Sequence, residues 1–208
     1  AAISMVFTGP NVLVVNRELN VNSVQELIAL AKAKPGMITF ASAGSGSMSH
    51  LNAERFKNAT GIDILHVPYK GGGAAVPDLL SGRVQMMIET GGGVMPLIRS
   101  GKLRALVVTT PERATQLPEV PTVAELGQPG LVAVVWGGLF APGGTPRPIL
   151  ERIAEAIARA ARDPAYRELV TTMTMEAASS TPEQFQAFVK EEIARYGEVV
   201  RRLDLRIE

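Results

Sequence analysis

Residues 38–50 read Ile38-Thr39-Phe40-Ala41-Ser42-Ala43-Gly44-Ser45-Gly46-Ser47-Met48-Ser49-His50: an apolar strand that runs into a Gly/Ser-rich turn and then a helix start. The apolar stretch is near-continuous rather than alternating, which suits a strand buried on both faces. The same order recurs twice. Ile62 to Val67 leads into Pro68-Tyr69-Lys70-Gly71-Gly72-Gly73, and Val84 to Ile88 leads into Glu89-Thr90-Gly91-Gly92-Gly93. Val12 to Val15 and Leu103 to Val108 supply two more short apolar strands. Strand, glycine-rich turn and helix in repetition is the pattern of βαβ units. The fold class is therefore α/β, a mainly parallel sheet with flanking helices.

Helix boundaries agree. Ser23-Val24-Gln25-Glu26 is a capping-box pattern, and Leu27, Ile28 and Ala31 follow at helical spacing until Pro35-Gly36. Thr145-Pro146 places a cap before a proline, with Ile149, Ile153 and Ile157 recurring every fourth residue behind it. Thr181-Pro182-Glu183-Gln184 repeats the device ahead of Phe185, Val189, Ile193, Tyr196 and Val200. Leu131 to Phe140 is a further long strand, read as a connection to another layer or lobe.

Composition divides the chain near residue 130. Of the 20 glycines, only Gly197 follows Thr145, whereas residues 146–208 carry about half of all charged side chains. We assign 1–130 to one lobe of βαβ units and 131–208 to a crossover strand and C-terminal helices of another. The 21 basic residues are matched by 20 acidic ones, so nothing marks a nucleic-acid partner. The longest apolar run, Leu131 to Pro142, is too short to span a bilayer and contains Gly137-Gly138. No cysteine is present, which removes disulfides, thiolate metal sites and cysteine nucleophiles. No signal peptide opens the chain, which reads as a mature form, a piece of something longer or cytoplasmic.

In an open parallel sheet, ligands bind outside the carboxyl ends of the strands. Here that rim carries the three glycine-rich turns. Glycine lets backbone N–H groups approach a ligand closely, and a helix starting there adds unpaired donors and the positive end of its dipole. Hydroxyls of Ser42, Ser45, Ser47 and Ser49 add further donors, and Lys70 is the one basic residue in the three turns. A single such turn is explained by tight-turn geometry alone. Three converging on one rim describe a cradle for a carboxylate.

Other chemistry is not supported. Gly44-x-Gly46-x-x-Ser49 lacks the third glycine of a dinucleotide fingerprint, and no G-x-S-x-G elbow occurs. His50 and Glu54 stand four apart on one helix face, but two ligands do not make a metal site. We therefore expect no metal, no cofactor and no catalytic residue. His66 reads as a hydrogen-bonded strand-end residue, and Trp136 and Phe140 as core residues of their strand rather than cleft-lining ones. Glu89 admits two readings: it caps the helix after it, or it faces the pocket and pairs with an amino group of the ligand.

At these same turns the sequence resembles the substrate-binding receptors of tripartite tricarboxylate transporters, the Bug receptors. The stretches that carry the resemblance are Leu13-Val14-Val15-Asn16, Ser23 to Ala29, Phe40 to Leu51, His66 to Gly71, Ser100 to Leu106, Val120 to Glu125, and Ala141 to Pro146. Their order and spacing cover the whole chain. The resemblance implies a two-lobed, type II periplasmic-binding-protein fold, a periplasmic location, no catalysis and a membrane transporter partner. It implies a small carboxylate as ligand: a di- or tricarboxylate, or an acidic amino acid. The positions that match the family's binding turns are Ser42 to Ser49 and Val67 to Gly71; joined with the rest of the rim, the candidate site comprises Ser42, Gly44, Ser45, Gly46, Ser47, Ser49, His50, Tyr69, Lys70, Gly71, Glu89 and Thr90. The Glu89-Thr90 turn departs from the aspartate or asparagine more usual there. Family members begin with a further βα segment ahead of the Val12 strand, which leaves the first lobe incomplete. The apolar faces of the Ile149 and Phe185 helices would then lack their sheet, with a dimer, swapping or disorder as the consequence. The alternatives are a sensory module on the same lobe, and an α/β enzyme for an anionic substrate working through Lys70, His50 or Glu89.

Overall fold

The structure, a computed structural model, describes residues 1–203. Its strands are β1 (Ala2–Asn16), β2 (Ile38–Ser42), β3 (Ile64–Pro68), β4 (Met86–Thr90), β5 (Leu103–Val108), β6 (Val134–Phe140) and β7 (Glu176–Ala177). Its α-helices are α1 (Val24–Ala33), α2 (Met48–Thr60), α3 (Gly72–Leu80), α4 (Gly91–Arg99), α5 (Arg147–Ala160), α6 (Pro164–Thr172) and α7 (Pro182–Arg202). No helix among the described residues is long and apolar enough to cross a membrane.

The chain forms two compact units. One holds Ala1–Gly9 and Val134–Glu198; the other holds Pro10–Ala133, with which residues 199–203 also group. The sequence reading drew its boundary at 130 and kept residues 1–9 with the strands that follow them. Composition changes near 130, but it carries no sign that β1 extends back to Ala2 and serves both units.

In the Pro10–Ala133 unit the strand order is β3-β2-β4-β1-β5. β2 is parallel to β3 and β4, with Phe40 opposite His66 and Ala41 opposite Met87. β1 is antiparallel to both its neighbours, Val12 lying opposite Glu89 on one side and Val108 on the other. Four strands thus run one way and β1 runs the other. An apolar run reads the same in either direction, so the reversal is invisible in the sequence.

Val12, Leu13, Val14 and Val15 are each fully buried because both faces of β1 are covered. Leu13 and Val15 pack with Leu27 and Ala31 of α1 and Ala53 and Phe56 of α2. Val12 and Val14 pack on the opposite face with Ala75 and Leu79 of α3 and Val94 and Met95 of α4. Each such side chain contributes about 1.5–3 kcal/mol by leaving water. Ser23 caps α1 by accepting the Glu26 amide at 3.1 Å, while Glu26 reaches back to the Asn22 amide at 2.7 Å.

In the other unit the first part of β1 pairs with β6 and β7; Phe7 lies opposite Ala177. The Ser180 amide donates to Ser4 Oγ at 2.9 Å, and the Tyr166 hydroxyl donates to the Val6 carbonyl at 2.8 Å. The Phe185 helix does not lack a sheet, contrary to the expectation above. Phe185 is fully buried, and its ring lies 5.7 Å from Trp136 and 5.0 Å from Phe140 of β6. Residues 2–9 are the reason, since they pair with β6 and complete a small sheet. Ile149 and Ile193 nevertheless remain 50% and 68% exposed. At the start of α5, Pro146 itself holds the cap position and the Thr145 hydroxyl turns back to the Pro142 carbonyl. α6, capped by Asp163, escaped the sequence reading although Asp163-Pro164 is a start signal.

The Gly137-Gly138 pair in β6 now has a cause. A Cβ on Gly138 would lie 2.0 Å from Phe185 Cζ, and one on Gly137 would lie 2.4 Å from Phe7 Cζ. Two aromatic rings press on the strand backbone. Gly138→Ala is therefore expected to lower unfolding stability by about 1–3 kcal/mol, read in a urea titration. An unchanged midpoint would show that the ring contact is dispensable.

Candidate functional site

The carboxyl ends of β2, β3 and β4 lie side by side, and α2, α3 and α4 start from them. The first turn, Ser42 to His50, is closed on itself. Ser47 caps α2, its Oγ accepting from the His50 amide at 3.3 Å and donating to the Gly44 carbonyl at 2.6 Å. Ser49 Oγ accepts from the Ala43 amide at 2.9 Å and lies 3.1 Å from Ser47 Oγ. Because Ser47 spends its proton on Gly44, Ser49 donates to Ser47. Ser42 has no exposed surface; its Oγ accepts from the Gly44 amide and sits 2.6 Å from His66 Nε2.

Three of the four serine hydroxyls expected to face a ligand are thus occupied inside the loop. Ser45 alone is exposed, and Gly46, with φ +78, holds the conformation that presents it. His50 is not directed outward either. Its Nδ1 accepts the Gly46 amide at 3.0 Å, which makes it a neutral imidazole protonated on Nε2, and that nitrogen is 4.0 Å from Glu54 Oε1. The ring stacks on His66 at 3.9 Å, and His66 stacks on Phe40 at 4.9 Å. This three-ring stack braces the turn. The sequence reading missed it, because the β2–β3 register that puts Phe40 beside His66 is written in neither strand alone.

The second turn is bonded onto the first. The Tyr69 amide donates to the Ser42 carbonyl at 3.0 Å and the Gly71 amide to the Ala43 carbonyl at 3.1 Å. The Tyr69 hydroxyl turns to Asp78 Oδ2 on α3 at 2.8 Å. Burial, then the Asp78 hydrogen bond, raises its pKa. Lys70 is exposed and makes no ion pair among the described residues. In the third turn Glu89 Oε1 accepts the Thr90 amide at 2.8 Å, while Oε2 is buried without a hydrogen-bond partner. It sits where a side chain on Gly72 would be: a Cβ there would lie 2.4 Å from Oε2. Thr90 holds the α4 cap position without a side-chain cap bond.

What remains free at the rim, besides the Ser45 hydroxyl and the Lys70 ammonium, is backbone. The amides of Met48 and Ser49 at the start of α2, and of Gly72 and Gly73 at the start of α3, have no intramolecular acceptor among the described residues. Such first-turn groups are the helix's orphan donors. A Ser42–His66 pair resembles a nucleophile and base, but Ser42 is sealed from solvent and reaches no substrate. No group of three or more His, Cys, Asp or Glu side chains able to hold a metal occurs among the described residues.

A mixed α/β sheet whose rim offers unpaired amides, with a second unit on the same strand β1, is the architecture of periplasmic solute-binding proteins. The sequence profile described as the tripartite tricarboxylate transporter family receptor matches residues 1–205, and the chain belongs to that family. Protein BugT of Bordetella pertussis is 41% identical over 206 residues, 99% of this chain and 63% of that protein. Among solved structures, Rpa4515 of R. palustris with adipate superposes with a TM-score of 0.82 at 34% identity, covering 96% of this chain and 67% of that one. MatC (Rpa3494) of Rhodopseudomonas palustris with bound malate gives 0.77 at 30% identity, covering 96% and 69%. The chain thus spans a little under two thirds of the length of its curated relative BugT.

The histidine stack makes stability depend on pH. Burial lowers the pKa of His50 against an opposing pull from Glu54. Burial, together with the charges of His50 and Lys57, lowers that of His66 from 6.5 to about 4. Both rings bind protons more readily in the unfolded chain. The stability they confer is therefore full above pH 6.5 and drains away as the pH falls toward 4. Melting temperature should drop across that window, and less steeply in His66→Phe, which keeps the stack without the titrating group. Equal slopes in the two proteins would exclude His66 as the source.

Proposed function

We propose that this chain is the carboxylate-gripping portion of a periplasmic solute receptor that delivers a small carboxylate to a tripartite tricarboxylate-type membrane transporter. The observation that carries the reading is the set of unpaired amides at the starts of α2 and α3, on a rim where every serine but Ser45, and both histidines, are already spoken for. Amide donors at helix N-termini favour an anion without a fixed counter-charge, and a ligand so held is released readily. A small carboxylate suits the relatives solved with adipate and malate. Catalysis is not part of the reading. His50 and Glu89 are tied to Gly46 and Thr90 of their own turns, and His66 of β3 to Ser42 of the neighbouring β2.

The test removes one donor without disturbing the helix. Met48 is the first residue of α2, it is 46% exposed, and Ser47 before it has φ −66 and ψ 160, which suits a residue preceding proline. Met48→Pro therefore deletes an amide proton and little else. A thermal-shift screen of mono-, di- and tricarboxylates and acidic amino acids, with phosphate and glucose as controls, should raise the melting temperature for one carboxylate class. For that class, Met48→Pro should weaken binding by about tenfold or more, the loss of one charge-assisted hydrogen bond. Lys70→Ala should cost about threefold or less, as an exposed charge does. The reverse ranking, or shifts with phosphate alone, would overturn the amide-cradle mechanism.

A further inference from the structure

The sequence leaves two roles open for Glu89: capping α4, or facing the pocket to meet an amino group of the ligand. The structure meets the first only in part. Glu89 Oε1 accepts the amide of its own neighbour, Thr90, at 2.8 Å, and Thr90 then holds the α4 cap position without a side-chain cap bond. The second oxygen, Oε2, lies against Gly72, the first residue of α3. It is buried and has no hydrogen-bond partner. Glu89 forms no ion pair among the described residues, and Lys70 of the neighbouring turn stays beyond ion-pair distance. A buried carboxylate oxygen with neither donor nor counter-charge is costly, and a ligand that supplies both relieves the cost.

The carboxylate has room to meet one. Glu89 as a residue is only partly buried, and its surroundings are glycine. A Cβ at Gly73 would meet no atom within 4 Å, and Gly73, Gly92 and Gly93 are all exposed. A turn about the Glu89 side-chain bonds brings Oε2 to the mouth of the rim.

Charge then decides what sits there. The free amides of Gly72 and Gly73 attract a carboxylate, whereas Glu89, packed on the same Gly72, repels one. A plain dianion feels both influences at once. A zwitterion satisfies both. An α-amino acid carries its ammonium and a carboxylate on one carbon, which matches an acceptor and amide donors gathered at one residue. We propose that Glu89 makes this rim selective for an α-amino acid, whose carboxylate lies on the first-turn amides and whose ammonium is received by Glu89 Oε2. The inference rests on the carboxylate-receptor reading and deepens it by naming the ligand class.

Calorimetric titration with matched acids tests it. One series is aspartate, malate and succinate; a second is glutamate, hydroxyglutarate and glutarate; a third is alanine, lactate and propionate. In the series that binds, the amino acid should bind about tenfold or more tighter than the plain acid, with the hydroxy acid between them. That order follows from a charge-assisted hydrogen bond, a neutral one and none. Glu89→Gln should weaken the amino acid by about tenfold or more and leave the plain acid unchanged or tighter. A side chain that only shaped the turn would move all three members alike. The series in the unaltered protein remains decisive should Glu89→Gln unfold. A plain or hydroxy acid that binds as tightly as its amino partner, an amino preference that survives Glu89→Gln, or binding of tricarboxylates alone would overturn the proposal and leave the receptor reading standing. Binding of no carboxylate at all would overturn both.

Discussion

Everything in the larger unit follows from the burial of β1 on both of its faces. Val12 to Val15 have no exposed surface, with Leu13 and Val15 in one core and Val12 and Val14 in the other. A strand so placed demands helices above and below its sheet. With β2, β3 and β4 all running the same way, the chain crosses back after each strand through a helix. Each helix must then begin at the carboxyl rim. The row of orphan amides at that rim is therefore a by-product of packing before it is anything else, and a solute site there uses donors the fold already had to expose.

The loops at the rim show how such donors are kept available. Serine hydroxyls and a histidine nitrogen bind the amides of Ala43, Gly44 and Gly46, so the loop satisfies its own polar groups and holds one shape. The Tyr69 and Gly71 amides tie the second turn to the first in the same way. A grip built on fixed amides needs little ordering when its ligand arrives, which reduces the entropic cost of binding. The side chains of the motif act as scaffold, and on the proposed reading recognition falls to the backbone.

The sequence made the class of fold, the positions of the three turns and most strands legible, because buried strands and glycine-rich turns leave periodicity and composition behind. Ile38 to Ala41 and Leu103 to Val108 are found nearly where they were read. What stayed hidden depends on pairing. The direction of β1, its extension to Ala2, and the sheet that residues 2–9 form with β6 all rest on neighbours remote in the chain. The glycine-rich rim was legible as a location, and the hydrogen bonding inside it was not. Ser42, Ser47, Ser49 and His50 were rightly placed in the turn, but a list of residue types does not say that their polar atoms face one another. Gly138 is a similar case: the residue was noticed, and its reason, the Phe185 ring, lies on a helix 47 positions later.

Gly72 and Glu89 have a consequence for how this rim can change. The buried Glu89 carboxylate occupies the space a Gly72 side chain would fill, and Gly93 closes in on its Cγ from the α4 side. The two turns therefore share one small volume. Drift at either position is coupled: a methyl group at 72 becomes tolerable once residue 89 is shortened, and a long residue at 89 survives only opposite glycine. Variation along this rim is expected to move in matched pairs, with the spare volume passed from one turn to the next.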